Sequence, residues 1–165
     1  MSDPSERRVA NFVFPAEDSD ASQRAFQWLL DSLYRSGDDL HLVHVVPRIK
    51  FQASGYAIPA VDYIPPVDRD KYESVVAEAE AFIVRRFLSR MPADAQTTPI
   101  VHVIKSETDA QSIGHIICQK AEDVKATVVV MANHNRSAVA EFFLGSVSNY
   151  VMHHCKKPVL ITRGV

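Results

Sequence analysis

The chain has 165 residues, 47% of them hydrophobic and 23% charged, with a formal net charge of -2. That is the balance of one ordinary globular domain, long enough to bury a full core, and it lacks the excess Lys and Arg that broad binding to nucleic acid or to an acidic membrane surface needs. No stretch approaches the ~20 apolar residues of a membrane span, and MSDPSERRVANF has no long apolar run after its charges, so it does not read as a secretory signal. A cytoplasmic protein is the expectation, with residues 1–7 polar and disordered and residues 8–165 forming a single domain.

Val9 to Phe14 (VANFVF) is a short β-rich run ended by Pro15 and reads as the first strand. The cluster AEDSD follows, in which Ser19 or Asp20 can accept hydrogen bonds from the free amides of a helix start. Phe26, Leu29, Leu30 and Leu33 then share one helical face, and Gly37 suits the left-handed residue that ends such a helix. Leu40 to Val46 (LHLVHVV) is the second strand, stopped by Pro47. Residues 48–69 contain several prolines and read as an irregular loop.

From Asp70 to Met91 the period is helical, with Val75, Val76, Ala79, Phe82, Ile83 and Phe87 on one face. Acids come early and bases late, which complements the helix dipole. Pro99 to Lys105 is the third strand, and Asp109 caps a helix running to about Asp123 with Ile113, Ile116, Ile117 and Ala121 inward. Ala126 to Ala132 (ATVVVMA) is almost wholly apolar, the mark of a central parallel strand covered on both faces. A polar loop, NHNRSAVAEF, leads to a short helix from Ser146 to about Cys155, and Val159 to Thr162 is the last strand. Strands alternating with helices imply a parallel sheet with helices on both faces. Cys118 and Cys155 lie far apart in sequence, form no CxxC pair and read as reduced, buried thiols.

Open parallel sheets bind ligands beyond the carboxyl ends of their strands, where the strand order reverses. The loops to inspect are PAEDS, PRIK and NHNRSAVAEFFLGS. The last leads to Gly145-Ser146 and a helix start. Glycine there lets the backbone approach a ligand, and the first helical amides favour an anion such as a phosphate. On local chemistry alone, a glycine loop with a serine cap explains the same residues. His41, His44 and His102 lie in strands, where packed, hydrogen-bonded histidines are the rule, and the adjacent His153 and His154 point ~100° apart on a helix and cannot pair on a metal. No HExxH, CxxC, Walker GxxxxGK[ST] or GxSxG motif occurs.

The string MANHNRSAVAEFFLGSVSNYVMHHCKKPVLI, Met131 to Ile161, resembles the C-terminal signature of universal stress proteins. There the loop reads G, two residues, G, nine residues, G, then S or T. Here the same positions are Ala132, Asn135 and Gly145-Ser146. The resemblance extends to the first strand with its acidic turn, to the AFQW helix and to LHLVHVV.

It implies an open five-stranded parallel sheet of order 3-2-1-4-5, adenine-nucleotide α-hydrolase-like, and an ATP site, with or without Mg. Pro15, Ala16 and Glu17 would lie near the adenine and ribose, and the main chain near Val45 would meet the adenine edge. Met131, Ala132, Asn135, Arg136, Gly145, Ser146 and Val147 would hold ribose and phosphates, with His134 beside them. The chain departs from the binder pattern at Ala132 and Asn135, which stand for glycines, and at Glu17, which stands for the usual Asp. Asparagine is the non-glycine residue best suited to a left-handed turn, and Glu17 or Asp18 can still accept ribose hydroxyls.

Two functions follow. One is a nucleotide-binding stress or signalling regulator with no catalytic centre and at most slow ATP hydrolysis. The other is a nucleotide-free dimeric interaction module of the same fold. An adenylate-forming enzyme ranks last, because PAEDSDAS holds no glycine-rich loop. Val159 to Thr162, short and apolar, is expected at a sheet edge that family members often use to form a homodimer.

Overall fold

The computed structural model describes residues 8–48, 66–133 and 145–162. Residues 1–7, most of the stretch read as irregular loop, and the loop that holds His134, Asn135 and Arg136 lie outside them. Five strands, β1 (Asn11–Pro15), β2 (Asp39–Pro47), β3 (Ile100–Ser106), β4 (Val128–Ala132) and β5 (Val159–Thr162), alternate with four helices, α1 (Asp20–Ser32), α2 (Pro66–Arg86), α3 (Ala110–Asp123) and α4 (Ser146–His154). All pairings are parallel and the order is β3-β2-β1-β4-β5. The strand order reverses at β1, which pairs with β2 on one side and β4 on the other.

Alternate residues along the strands feed two cores. Phe12, Phe14, Leu40, Leu42 and Val46 pack under α1 and α2, with Phe26, Leu29, Phe82, Ile83 and Phe87. Val13, Val43, Val129 and Met131 pack under α3 and α4, with Ile117, Cys118, Ala121 and Val151. The first core centres on three rings. Phe14, Phe26 and Phe87 have centroids 5.1–5.8 Å apart in edge-on and tilted arrangements, each such pair adding ~0.5–1.5 kcal/mol beyond its area. On the second side α3 and α4 cross closely at Gly114, where a Cβ would run into the Tyr150 ring.

The caps follow the sequence. Ser19 Oγ accepts from Ser22 N at 3.1 Å, and Asp109 accepts from the amides of Gln111 and Ser112. Two expectations need correction. Helix α2 starts at Pro66, inside the stretch read as loop to residue 69. Proline stops a helix only from within; at its first position the missing N–H has no helical partner and the fixed φ already suits the helix. Helix α1 ends at Ser32 with Leu33 as its cap, and Gly37, although left-handed at φ 96°, belongs to the following turn. There the Asp38 carboxylate accepts from the amides of Arg35 and Ala10, both at 2.9 Å.

Candidate functional site

The site lies at the carboxyl ends of β1 and β2. Register between them ends at Pro15 opposite Val43, and Ala16 N donates to Val43 O at 2.8 Å. In a parallel pair, a residue that bonds one neighbour does so with both its N–H and its C=O, and alternate residues face alternate neighbours. Arg48 N bonds Ser106 of β3, so even residues of β2 face β3 and odd residues face β1. The Val45 main chain is therefore aimed past the last residue of β1.

A cavity of about 120 Å³ sits there, lined by Pro15, Ala16, Glu17, Val43, His44, Val45, Ile113 and Ile117. Its walls are apolar apart from Glu17, His44 and main-chain groups. It is smaller than the ~300–1,000 Å³ of a typical whole small-molecule site, so it suits one flat ring rather than an entire nucleotide.

The β1–α1 turn that forms one wall is tied down residue by residue. Glu17 N donates to Ser22 Oγ at 3.2 Å, and Ser22 is fully buried. His44 Nδ1 donates to the Ala16 carbonyl at 2.8 Å, while its ring meets Phe82 edge-on with centroids 4.8 Å apart. Asp18 faces away from the cavity. It pairs with Arg86 and, at 3.4 Å, with Arg85, and Arg86 also holds Asp20 at 2.9 Å. Hydrogen bonding from Arg86 keeps the Asp18 carboxyl below the ordinary carboxylate range. Glu17, not Asp18, is thus the acidic residue among those that line the cavity.

Pro15, Ala16, Glu17 and Val45 line this cavity together. Val43, His44, Ile113 and Ile117 complete the lining and were not read as site residues. The period placed Ile113 and Ile117 on the inward face of α3, but nothing local marks where that face rises above the sheet edge.

On the far side of β1, Met131 is buried in the core under α3 and α4. Ala132 is buried in the opposite core, so its extra methyl points among apolar side chains under α1 and α2. Just beyond, the Asn133 Oδ1 is buried with no hydrogen-bond partner among the described residues. Gly145 caps α4 at φ -57°, an ordinary value, and a Cβ added there would meet none of the described residues within 4 Å. Ser146 is exposed, and Val147 packs against the second core. Asn135 and Arg136 lie outside the described residues.

The strand histidines His41 and His102 are packed residues, whereas His115, His153 and His154 are exposed. His41 Nδ1 and His102 Nε2 share a hydrogen bond of 3.0 Å between rings stacked at 5.3 Å. Burial pushes both below the ordinary value of 6.5, and Lys120 adds to the effect. His154 stacks on Tyr150 and bonds its carbonyl oxygen. Among the described residues no group of three or more His, Cys, Asp or Glu could hold a metal, and no helix is long and apolar enough to cross a membrane.

A parallel sheet of order 3-2-1-4-5 with a crevice at its reversal point defines a doubly wound, adenine-nucleotide α-hydrolase-like α/β domain. Residues 9–163 match the model of the universal stress protein family, and the chain belongs to that family. It is 25% identical over 157 residues to the universal stress protein PHOS32 of Arabidopsis thaliana, with 88% of this chain and 61% of that protein covered. An uncharacterized protein of Schizosaccharomyces pombe is 25% identical over 159 residues, 96% of this chain but 24% of its own length. The chain therefore spans between about a quarter and three fifths of these curated relatives.

Among solved structures, UspA of Lactobacillus plantarum superposes with a TM-score of 0.66 at 22% identity, covering 96% of this chain and 100% of that one. A universal stress protein in complex with cAMP gives a TM-score of 0.52 at 20% identity, covering 96% and 100%. At these identities the likeness establishes the fold.

Proposed function

We propose that this domain binds an adenine nucleotide, ATP with or without Mg, and acts as a stress-response or signalling regulator rather than as an enzyme. The observation that carries the reading is the cavity past the end of β1, where Ala16, Glu17 and Val45 converge with Ile113 and Ile117. Two isoleucines and Val43 suit an adenine face, the Val45 main chain suits its polar edge, and the Glu17 carboxylate suits ribose hydroxyls. The solved relative in complex with cAMP supports an adenine nucleotide as the ligand class. Phosphates would extend toward Gly145 and Ser146, where no described residue crowds Gly145 and the first amides of α4 lack helical partners.

The nucleotide-free module rests on Glu17 standing for the usual Asp and on the extra methyl of Ala132, which stands for a glycine. That methyl is buried among the side chains under α1 and α2, on the face opposite α3, so it does not narrow the cavity. This favours binding. We also place a homodimer contact at β5, an edge strand whose Val159, Leu160 and Ile161 are each only half-buried.

Equilibrium titration of the purified chain with ATP tests the reading. Saturable one-site binding is expected, weakened at least tenfold by Ile113→Trp, with the far-ultraviolet circular dichroism unchanged. Absence of saturation at millimolar ATP would leave the nucleotide-free module as the function.

A further inference from the structure

We propose that Cys118 and Cys155 form a reversible intramolecular disulfide when the folded protein meets hydrogen peroxide. The sequence separates the two cysteines, but the crossing of α3 and α4 brings them together. Gly114 faces Tyr150 at one point of the crossing. Glu122 and Lys156 form an ion pair at 3.4 Å at another. Cys118 lies one helical turn after Gly114 and one before Glu122, so it occupies the same stripe of α3. Cys155 caps α4 between Tyr150 and Lys156, its amide donating to Val151 O at 2.9 Å.

Both side chains belong to one apolar cluster with Ala121 and Val151, and both are free thiols. Burial pushes the Cys118 thiol up to about 12, and the neighbouring Cys155 adds to the shift.

The two differ in access, which orders the chemistry. Cys155 is half-buried and Cys118 is buried. The Cys155 thiolate attacks one peroxide oxygen, the O–O bond breaks, and the departing hydroxide takes a proton to become water. The product is a sulfenic acid at Cys155. Cys118 then gives up its proton as its sulfur attacks the Cys155 sulfur. The S–S bond forms, the S–O bond breaks, and a second water leaves. Two thiols and one peroxide thus yield one disulfide and two waters. Cys118 is a poor first nucleophile, because a buried thiol is rarely ionised, but it is held beside the sulfur it must attack.

The experiment treats the folded chain with hydrogen peroxide, blocks remaining thiols under denaturing conditions and maps peptides without reduction. A linked Cys118–Cys155 peptide in monomeric chains is expected, with both thiols recovered on adding dithiothreitol. In Cys155→Ser, Cys118 should survive the same exposure as a thiol. In Cys118→Ala, dimedone should trap a persistent sulfenic acid at Cys155. Should the alanine variant not fold, the Cys155→Ser result still decides the order of steps. Sulfinic acid at Cys155 with Cys118 still alkylated, or cross-links only between chains, would overturn the proposal. So would oxidation of Cys118 at the wild-type rate in Cys155→Ser.

Discussion

Replacing His44 tests how the cavity wall is held. The Nδ1–H bond to the Ala16 carbonyl, at 2.8 Å, joins β2 to the turn after β1, and the ring adds an edge contact with Phe82. The hydrogen bond is worth ~1 kcal/mol net, and Ala16 is 1% exposed, so its carbonyl is badly placed to recruit water and the loss should fall at the upper part of the ~1–3 kcal/mol range. The ring contact adds ~0.5–1.5 kcal/mol. His44→Phe keeps a ring and loses the donor, and should cost about 2 kcal/mol. His44→Ala loses both, and should cost about 3 kcal/mol. Urea unfolding followed by circular dichroism measures both. Because the same turn carries Glu17, both variants should also bind ATP more weakly in calorimetric titration. A His44→Phe protein as stable as wild type would refute the clamp and leave His44 a packing residue only.

Acid should loosen the β2–β3 side of the sheet. His41 and His102 have folded pKa values below the ordinary 6.5, so the unfolded chain binds protons first. Their contribution is intact above 6.5 and is lost as pH falls below it, at up to ~1.4 kcal/mol per pH unit per proton. Asp39 opposes and Lys120 reinforces the shift at His41. Urea midpoints measured across this range should fall more steeply in wild type than in His102→Gln, and parallel curves would contradict the reading. Lys125 stands at φ 52° where α3 ends, with Ala126 N closing onto Ala121 O at 2.8 Å. Lys125→Gly should therefore stabilise the fold by ~0.5–1 kcal/mol in urea unfolding; a loss of stability would argue against strain there. Gly145→Val should fold normally, since φ is ordinary and none of the described residues crowds the new Cβ, yet bind ATP poorly, whereas Ser146→Ala should lose only ~1 kcal/mol of binding. Normal calorimetric binding by Gly145→Val would move the phosphate site elsewhere. Sedimentation equilibrium at micromolar protein should show a dimer, and a monomer throughout would remove β5 as its contact.

Much of the fold was legible because its signals are local. The apolar run VVVMA marks a strand buried on both faces, and Ser19 and Asp109 are caps whose side chains meet the amides expected of them. The strand order came from the family resemblance, since no local pattern states which strands are neighbours. The start of α2 was misplaced because Pro65-Pro66 reads as a break, although the second proline opens the helix.

At the candidate site, the turn Pro15–Glu17 and Val45, which line the cavity, were named through the same resemblance. Ile113 and Ile117 were not, since their role depends on how high α3 sits over the sheet. The meeting of Cys118 and Cys155 is likewise a product of helix crossing, set by the missing side chain of Gly114 and invisible in cysteine spacing.

The central claim is that an adenine nucleotide seats past the end of β1, against α3. Amide and methyl chemical shifts of isotope-labelled protein, followed during an ATP titration, locate the ligand without assuming the site. The largest changes are predicted at Ala16, Glu17, Val45, Ile113 and Ile117, with a second group at Gly145 and Ser146. Changes confined to the opposite groove of Ile83, Val84, Leu88, Val101 and Val103, or no changes at millimolar ATP, would contradict it.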